Sequence, residues 1–322
     1  MNATIVKITR LLLLTASCMT VLNACKSRET NPALNDKLSV TVMLAPQATI
    51  VREIAGDSVH INTLIGSGIN PESYEPTVAA MRQVAQSDIL MLSGALGFET
   101  QLVERLHDNN PHLAIHDTSA GIEPIYGTHS HPHSHTKACT NSHNGNPEHD
   151  SINHATETDE HLVADPHTWT SVKNARIIAT NICQILCEAD SSNASYYTSR
   201  YLTLDNRLDS LDQAFQARLA PLKGHGFLIW HPSLSYLARD YDLKQITIGI
   251  EGKEITPRAI KNIIDLARNS GARTLFVQAD FDSSRAETIS HQTGTQVVAI
   301  NPLDPDWENQ IIHIIDGLTD KL

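Results

Sequence analysis

The sequence predicts an α/β protein of two lobes, each a parallel sheet of βα units, joined by a long backbone helix. Three observations predict it. Between 38 and 115, short apolar runs alternate with amphipathic ones across short links, the mark of parallel βα units. From Tyr197 to Leu219 the apolar positions Tyr197, Tyr201, Leu204, Leu208, Leu211, Phe215 and Leu219 form one continuous stripe on a helix of about six turns. After Pro221 and Gly224 a second βα series begins. In such folds ligands bind outside the carboxyl ends of the strands, and here that edge faces the cleft between the lobes.

The elements follow in chain order. Lys7 and Arg10 precede the uncharged stretch Leu11–Ala24, which is shorter than the ~20 residues of a permanent membrane helix. Residues 1–24 therefore read as a signal peptide. Leu22-Asn23-Ala24-Cys25 resembles a bacterial lipobox, with Cys25 the residue to be lipidated, and residues 25–37 read as a flexible tether. The first lobe spans 38–170. It holds strands at Leu38–Ala45, Val59–Ile65, Ile89–Leu92 and Leu113–Ile115, and helices at Gln47–Gly56, Thr77–Gln86 and Phe98–Asn109. From 127 to 161 the periodicity stops. Eight histidines and five acidic residues stand there beside a single base, Lys137, with almost no large apolar side chain, so the stretch reads as a disordered His-rich loop. Residues 171–222 are linking helices. The second lobe, 223–322, carries strands near Phe227–Trp230, Gln245–Ile248, Thr274–Val277 and Val297–Ile300. Its helices lie near Ser233–Asp240, Pro257–Asn269, Ser283–Gln292 and Asp306–Leu318.

Composition narrows the function. The 322 residues include 24 basic and 36 acidic side chains, a formal charge of −12, which excludes a basic nucleic-acid footprint and a polybasic membrane-surface protein. No phosphate-cradling glycine motif, His-Glu-x-x-His or Gly-x-Ser-x-Gly segment is present. Of five cysteines, Cys18 leaves with the signal peptide, and Cys25, Cys139, Cys183 and Cys187 make no disulfide framework. Cys183 and Cys187 lie four apart on a helix, a poor disulfide geometry, and read as buried free thiols whose oxidation state stays open.

Four segments place an acid or histidine beside a proline at a strand-to-helix junction. They are Asn70-Pro71-Glu72-Ser73-Tyr74-Glu75-Pro76, Asp165-Pro166-His167-Thr168-Trp169, Trp230-His231-Pro232 and Asn301-Pro302-Leu303-Asp304. Each alone is an ordinary turn. Together, at matching points of a bilobed pattern, they suit a shared transition-metal site, because neutral imidazole and carboxylate are the donors such an ion takes and rigid turns pre-organise them. Histidines at every second position from 129 to 135 suit either a solvated polar insertion or a weak zinc-binding tract.

Taken in order with Gly68-Ile69, Tyr236-Leu237 and Glu251-Gly252-Lys253-Glu254, these segments resemble the metal-specific solute-binding lipoproteins of bacterial ABC transporters for zinc and manganese, over roughly 38–320. The resemblance implies a metal cleft between the lobes with His167, His231, Glu72 and Asp304 as ligands, Asn301 and Asp306 lying close to the fourth. Position 72 departs from the family, which usually shows histidine there; a glutamate hardens the site and shifts it toward Mn²⁺. It further implies capture of Zn²⁺, with Mn²⁺ the alternative, and delivery to an ABC permease. The chain would be an exported, lipid-anchored monomer facing the periplasm or cell exterior. His129, His131, His133, His135 and His143 would be an auxiliary collecting loop. No catalytic residue and no organic cofactor are implied. The competing readings are an adhesin or periplasmic metal buffer with no transporter, and an exported metallohydrolase with Glu75 as general base.

Overall fold

The structure is a computed structural model that describes residues 37–66, 68–127, 163–248, 256–278 and 283–320. The expected signal peptide, Cys25 and the tether up to 36, the His-rich stretch 128–161 with its five collecting histidines, and Glu251–Glu254 lie outside those residues.

The first sheet contains β1 (Leu38–Leu44), β2 (Val59–Ile65), β3 (Ile89–Leu92) and β4 (Ala114–Asp117), in the order β2-β1-β3-β4. β1 and β3 pair in parallel with Val40 opposite Ile89, and β3 and β4 with Ile89 opposite Ala114. The last five residues of β1 are buried, as expected of a central strand covered on both faces. Three helices accompany this sheet: α1 (Ala45–Ala55), α2 (Val78–Val84) and α3 (Glu99–Asn109). α1 starts two residues before the sequence expectation. Pro46 occupies its first turn, where a missing N–H breaks no helical bond, instead of ending the strand and delaying the helix. Gly56 closes α1 at φ 55°, and a Cβ there would meet the Tyr196 hydroxyl oxygen at 2.5 Å.

Outside the two main sheets, a short antiparallel ribbon joins β5 (Tyr126–Gly127) to β6 (Val163–Ala164), bringing together the two ends of the His-rich segment. Two-residue strands leave no periodicity to read, and the sequence had not predicted them.

The second sheet is parallel throughout. It contains β7 (Gly226–Ile229), β8 (Lys244–Thr247), β9 (Thr274–Gln278) and β10 (Gln296–Ile300), in the order β10-β9-β7-β8. Its helices are α6 (Ser235–Asp240), α7 (Pro257–Asn269), α8 (Ser283–Thr293) and α9 (Trp307–Thr319). Leu228, Trp230, Ile248, Ile263, Leu275, Val277 and Ile289 form one buried cluster on this sheet.

Between the sheets run α4 (Val172–Ala189) and the 26-residue α5 (Ala194–Leu219). Tyr197, Leu204, Leu208, Phe215 and Leu219 of the expected stripe are buried, and Tyr201 and Leu211 are partly so. α5 packs on α4, on α1 beside the first sheet and on α9 beside the second. Arg207 of α5 pairs with Glu53 of α1 at 3.4 Å and with Glu308 of α9 at 2.9 Å. Both pairs are substantially exposed and contribute only ~0–1 kcal/mol each, so the apolar stripe does most of the holding. The described residues from Ser39 onward form one compact unit.

Candidate metal centre

Each chemistry-bearing turn is fixed by its own local bonds. Glu72 sits in the segment 68–76 between β2 and α2. Its N–H donates to Asn70 Oδ1 at 2.9 Å, Pro71 is buried, and Thr77 caps α2 by accepting from the Ala80 N–H. Tyr74 of this segment meets Phe98 edge-on, with ring centroids 5.4 Å apart. His167 follows β6. Asp165 N–H donates to the Ile125 carbonyl at 2.7 Å, Thr170 Oγ1 donates to the His167 carbonyl, and Ser171 caps α4. His231 follows β7 by two residues and opens a tight turn in which Ser233 N–H donates to its carbonyl at 2.7 Å.

These turns bring three side chains together. His167 Nε2 and His231 Nε2 are 3.3 Å apart. Glu72 Oε1 lies 3.8 Å from the first and 3.5 Å from the second. A point equidistant from these three atoms lies about 2 Å from each, which is the length of zinc–imidazole and zinc–carboxylate bonds. Among the described residues, these three form a group of three His, Cys, Asp or Glu side chains whose donor atoms all lie within 4.8 Å of one another.

His167 is set up for such a role. Its ring Nδ1 lies 2.8 Å from Asp165 Oδ1, which also accepts its backbone N–H at 2.9 Å. With Nδ1–H donating to the carboxylate, the Nε2 lone pair is turned toward Glu72 and His231. Burial pulls the His167 imidazole down, but Asp165 and Glu72 outweigh it and hold it above its ordinary value. Burial pushes Asp165 up, but its bond to His167, the charge there and the Ser235 hydroxyl hold it below the carboxylate range. The Tyr236 hydroxyl donates to the Asp165 carbonyl at 2.9 Å, so α6 steadies the same turn. Asp165 stood in a motif singled out by sequence without a role of its own; the signal was an acid two residues before a histidine across a proline.

Asp304 is not brought to this group. Its Oδ1 accepts the Asp306 N–H at 2.9 Å and its Oδ2 lies 3.3 Å from Asn301 Nδ2, so its carboxylate is engaged in its own turn. Asn301 Oδ1 accepts the Leu303 N–H, and Asp306 Oδ2 accepts from Asn309. What this segment gives the site is a buttress. The Trp169 indole N–H donates to the Pro302 carbonyl at 2.8 Å, and the Trp307 indole N–H donates to the Trp169 carbonyl at 2.7 Å. Glu75 is exposed.

Sequence reasoning missed Glu99, a buried carboxyl at the start of α3. It accepts from the N–H groups of Ser93 (2.7 Å), Gly94 (2.9 Å) and Leu96 (3.2 Å) and from the Ser93 hydroxyl. Burial nevertheless pushes it up to about 7. It organises the turn that presents Phe98 to Tyr74, and so supports the Glu72 segment from behind.

Residues 40–321 match the family described as zinc-uptake complex component A, periplasmic (ZnuA). The fold is similar to a crystal structure of ZnuA, at 28% identity and a TM-score of 0.72, over 88% of this chain and 99% of that one. The chain is 24% identical over 293 residues to the manganese ABC transporter substrate-binding lipoprotein PsaA of Streptococcus mitis, covering 87% of this chain and 84% of PsaA. It is 24% identical over 303 residues to the zinc-binding lipoprotein AdcA of Streptococcus pneumoniae (strain ATCC BAA-255 / R6), covering 91% of this chain and 55% of AdcA. The two-lobed α/β fold, the histidine and carboxylate turns and these matches agree: the chain belongs to the ZnuA family of metal ABC transporter substrate-binding proteins and is not an enzyme.

Proposed function

We propose that this chain captures Zn²⁺ between Glu72, His167 and His231 and delivers it to the permease of an ABC importer. The observation that carries the reading is the spacing of the three donor atoms, which suits bonds of about 2 Å to one ion. Two imidazoles favour zinc, while Glu72 makes Mn²⁺ the second candidate. Asp304 is not needed as a ligand: a fourth position can be taken by water. We read the chain as an exported monomer anchored through Cys25; among the described residues no helix is long and apolar enough to cross a membrane. The histidines at 129, 131, 133, 135 and 143 would collect zinc weakly and pass it on.

A Zn²⁺/Mn²⁺ competition titration tests this, on the full chain and on a chain lacking 129–154. A tight zinc equivalent that His231→Ala removes is expected in both, with slower loading when 129–154 is missing. Preference for Mn²⁺ overturns the zinc assignment. No stoichiometric binding of either ion overturns the site.

A further inference from the structure

We propose that Cys183, Cys187 and Thr198 form a second cation site, for a thiophilic divalent ion of the zinc group, at the turn between α4 and α5. The two thiols sit one turn apart on α4, with their sulfurs 3.9 Å from each other. An ion 2.3 Å from both sulfurs would see them about 116° apart, close to a tetrahedral angle. Oxygen donors stand beside them: Thr198 Oγ1 lies 3.7 Å and the Ala194 carbonyl 3.5 Å from Cys187 Sγ. The same i, i+4 helical spacing places two ligands on one zinc in helical metal motifs.

Cation binding fits this pair better than oxidation does. Residues four apart on a helix hold their Cβ atoms ~5–6 Å apart, whereas a disulfide needs ~3.5–4.5 Å. Both thiols are free, Cys183 buried and Cys187 partly so. Burial pushes the Cys183 thiol up to about 11, because a lone thiolate there goes uncompensated. A divalent ion removes that penalty: two thiols release two protons to solvent, and the M²⁺–dithiolate formed is neutral. Cys183 and Cys187 lie twelve and sixteen residues along the chain from Ser171, or ~18 and ~24 Å of helix, so the pair is separate from the cleft.

The test uses the full chain with Cys18, Cys25 and Cys139 replaced by serine, leaving 183 and 187 as its only thiols. The reduced protein is titrated with Cd²⁺ while the thiolate-to-cadmium ultraviolet band is followed, a signal to which the histidines and carboxylates of the cleft do not contribute. The band is expected to rise to the absorbance of one cadmium dithiolate per chain, after whatever cadmium the silent cleft and the histidines take up. Cys187→Ser should weaken that binding at least tenfold, and Thr198→Val by a smaller factor. Circular dichroism of each variant reports whether the helices persist. No band, a band unmoved by Cys187→Ser in a folded variant, or loss of both titratable thiols in air without metal would each overturn the site.

Discussion

Replacing Asp165 by asparagine isolates what a carboxylate contributes behind the imidazole proposed as a ligand. Asp165 is 2% exposed, and its Oδ1 accepts both the ring Nδ1–H and the backbone N–H of His167. An asparagine oxygen can keep both bonds, so the variant removes chiefly the charge. The other oxygen, Oδ2, has no partner at hydrogen-bond distance, although the Ser235 hydroxyl lies near enough to favour the anion. An amide nitrogen there would be buried and unsatisfied, destabilising the metal-free fold by ~1–3 kcal/mol. Loss of the charged partner should weaken metal binding 10- to 100-fold, or ~1.4–2.7 kcal/mol. The assay is competition for Zn²⁺ with a chromophoric chelator, on the chain lacking 129–154, repeated at rising pH until the affinity no longer changes, so that proton competition at His167 does not enter the comparison. Circular dichroism and thermal melts of the metal-free proteins separate a folding loss from a binding loss. A folded Asp165→Asn protein that binds zinc within twofold of the parent refutes the reasoning.

Three more outcomes follow from the same geometry. Glu72→His replaces a hard oxygen by a borderline nitrogen, so zinc affinity should rise relative to manganese by tenfold or more in paired titrations. A proton on His167 competes with the ion, and because Asp165 and Glu72 raise that imidazole, zinc affinity should fall as pH drops through a value above 6.5, by about tenfold per pH unit if one proton is displaced; a flat profile counts against His167 as ligand. Glu99 has a folded value of about 7 against 4.5 unfolded, so the native state holds the extra proton between them and stability should decline by ~3 kcal/mol as pH rises across that window. In melts at pH 5 and pH 8, the parent should lose more stability over that rise than Glu99→Gln, and an equal loss in both would show that the four donors compensate burial.

What was legible in the sequence was whatever left a period or a stiff turn. The central strands are β-rich runs, and α5 shows as an apolar stripe because one face of 26 residues meets α1, α4 and α9. Glu72, His167 and His231 were visible because each stands next to a proline where a strand or ribbon ends. Asp304 has the same local signature, and sequence cannot tell a carboxylate facing a cleft from one that closes its own turn on the Asp306 N–H. Pro46 misled for a related reason: a proline reads as a stop, yet in a first helical turn it is a start. Glu99 is silent in sequence because its burial comes from tertiary packing, and the ribbon beside the His-rich segment is too short to carry a pattern.

Electrostatics gives a reason why the fourth turn serves better as a buttress than as a ligand. His167 and Asp165 are almost fully buried and Glu72 nearly so, so net charge at this point is heavily penalised. Two carboxylates, Glu72 and Asp165, with two neutral imidazoles and one divalent ion sum to zero. A third carboxylate on the ion would leave one uncompensated negative charge in the same low-dielectric space. Asp304 spends its oxygens on its own turn, while the carbonyl of Pro302 in that segment anchors the Trp169 indole. The second sheet thereby holds the His167 turn without adding charge to it. The separation of His167 and His231 is then set by packed indoles and backbone bonds, and close packing holds such separations to fractions of an ångström.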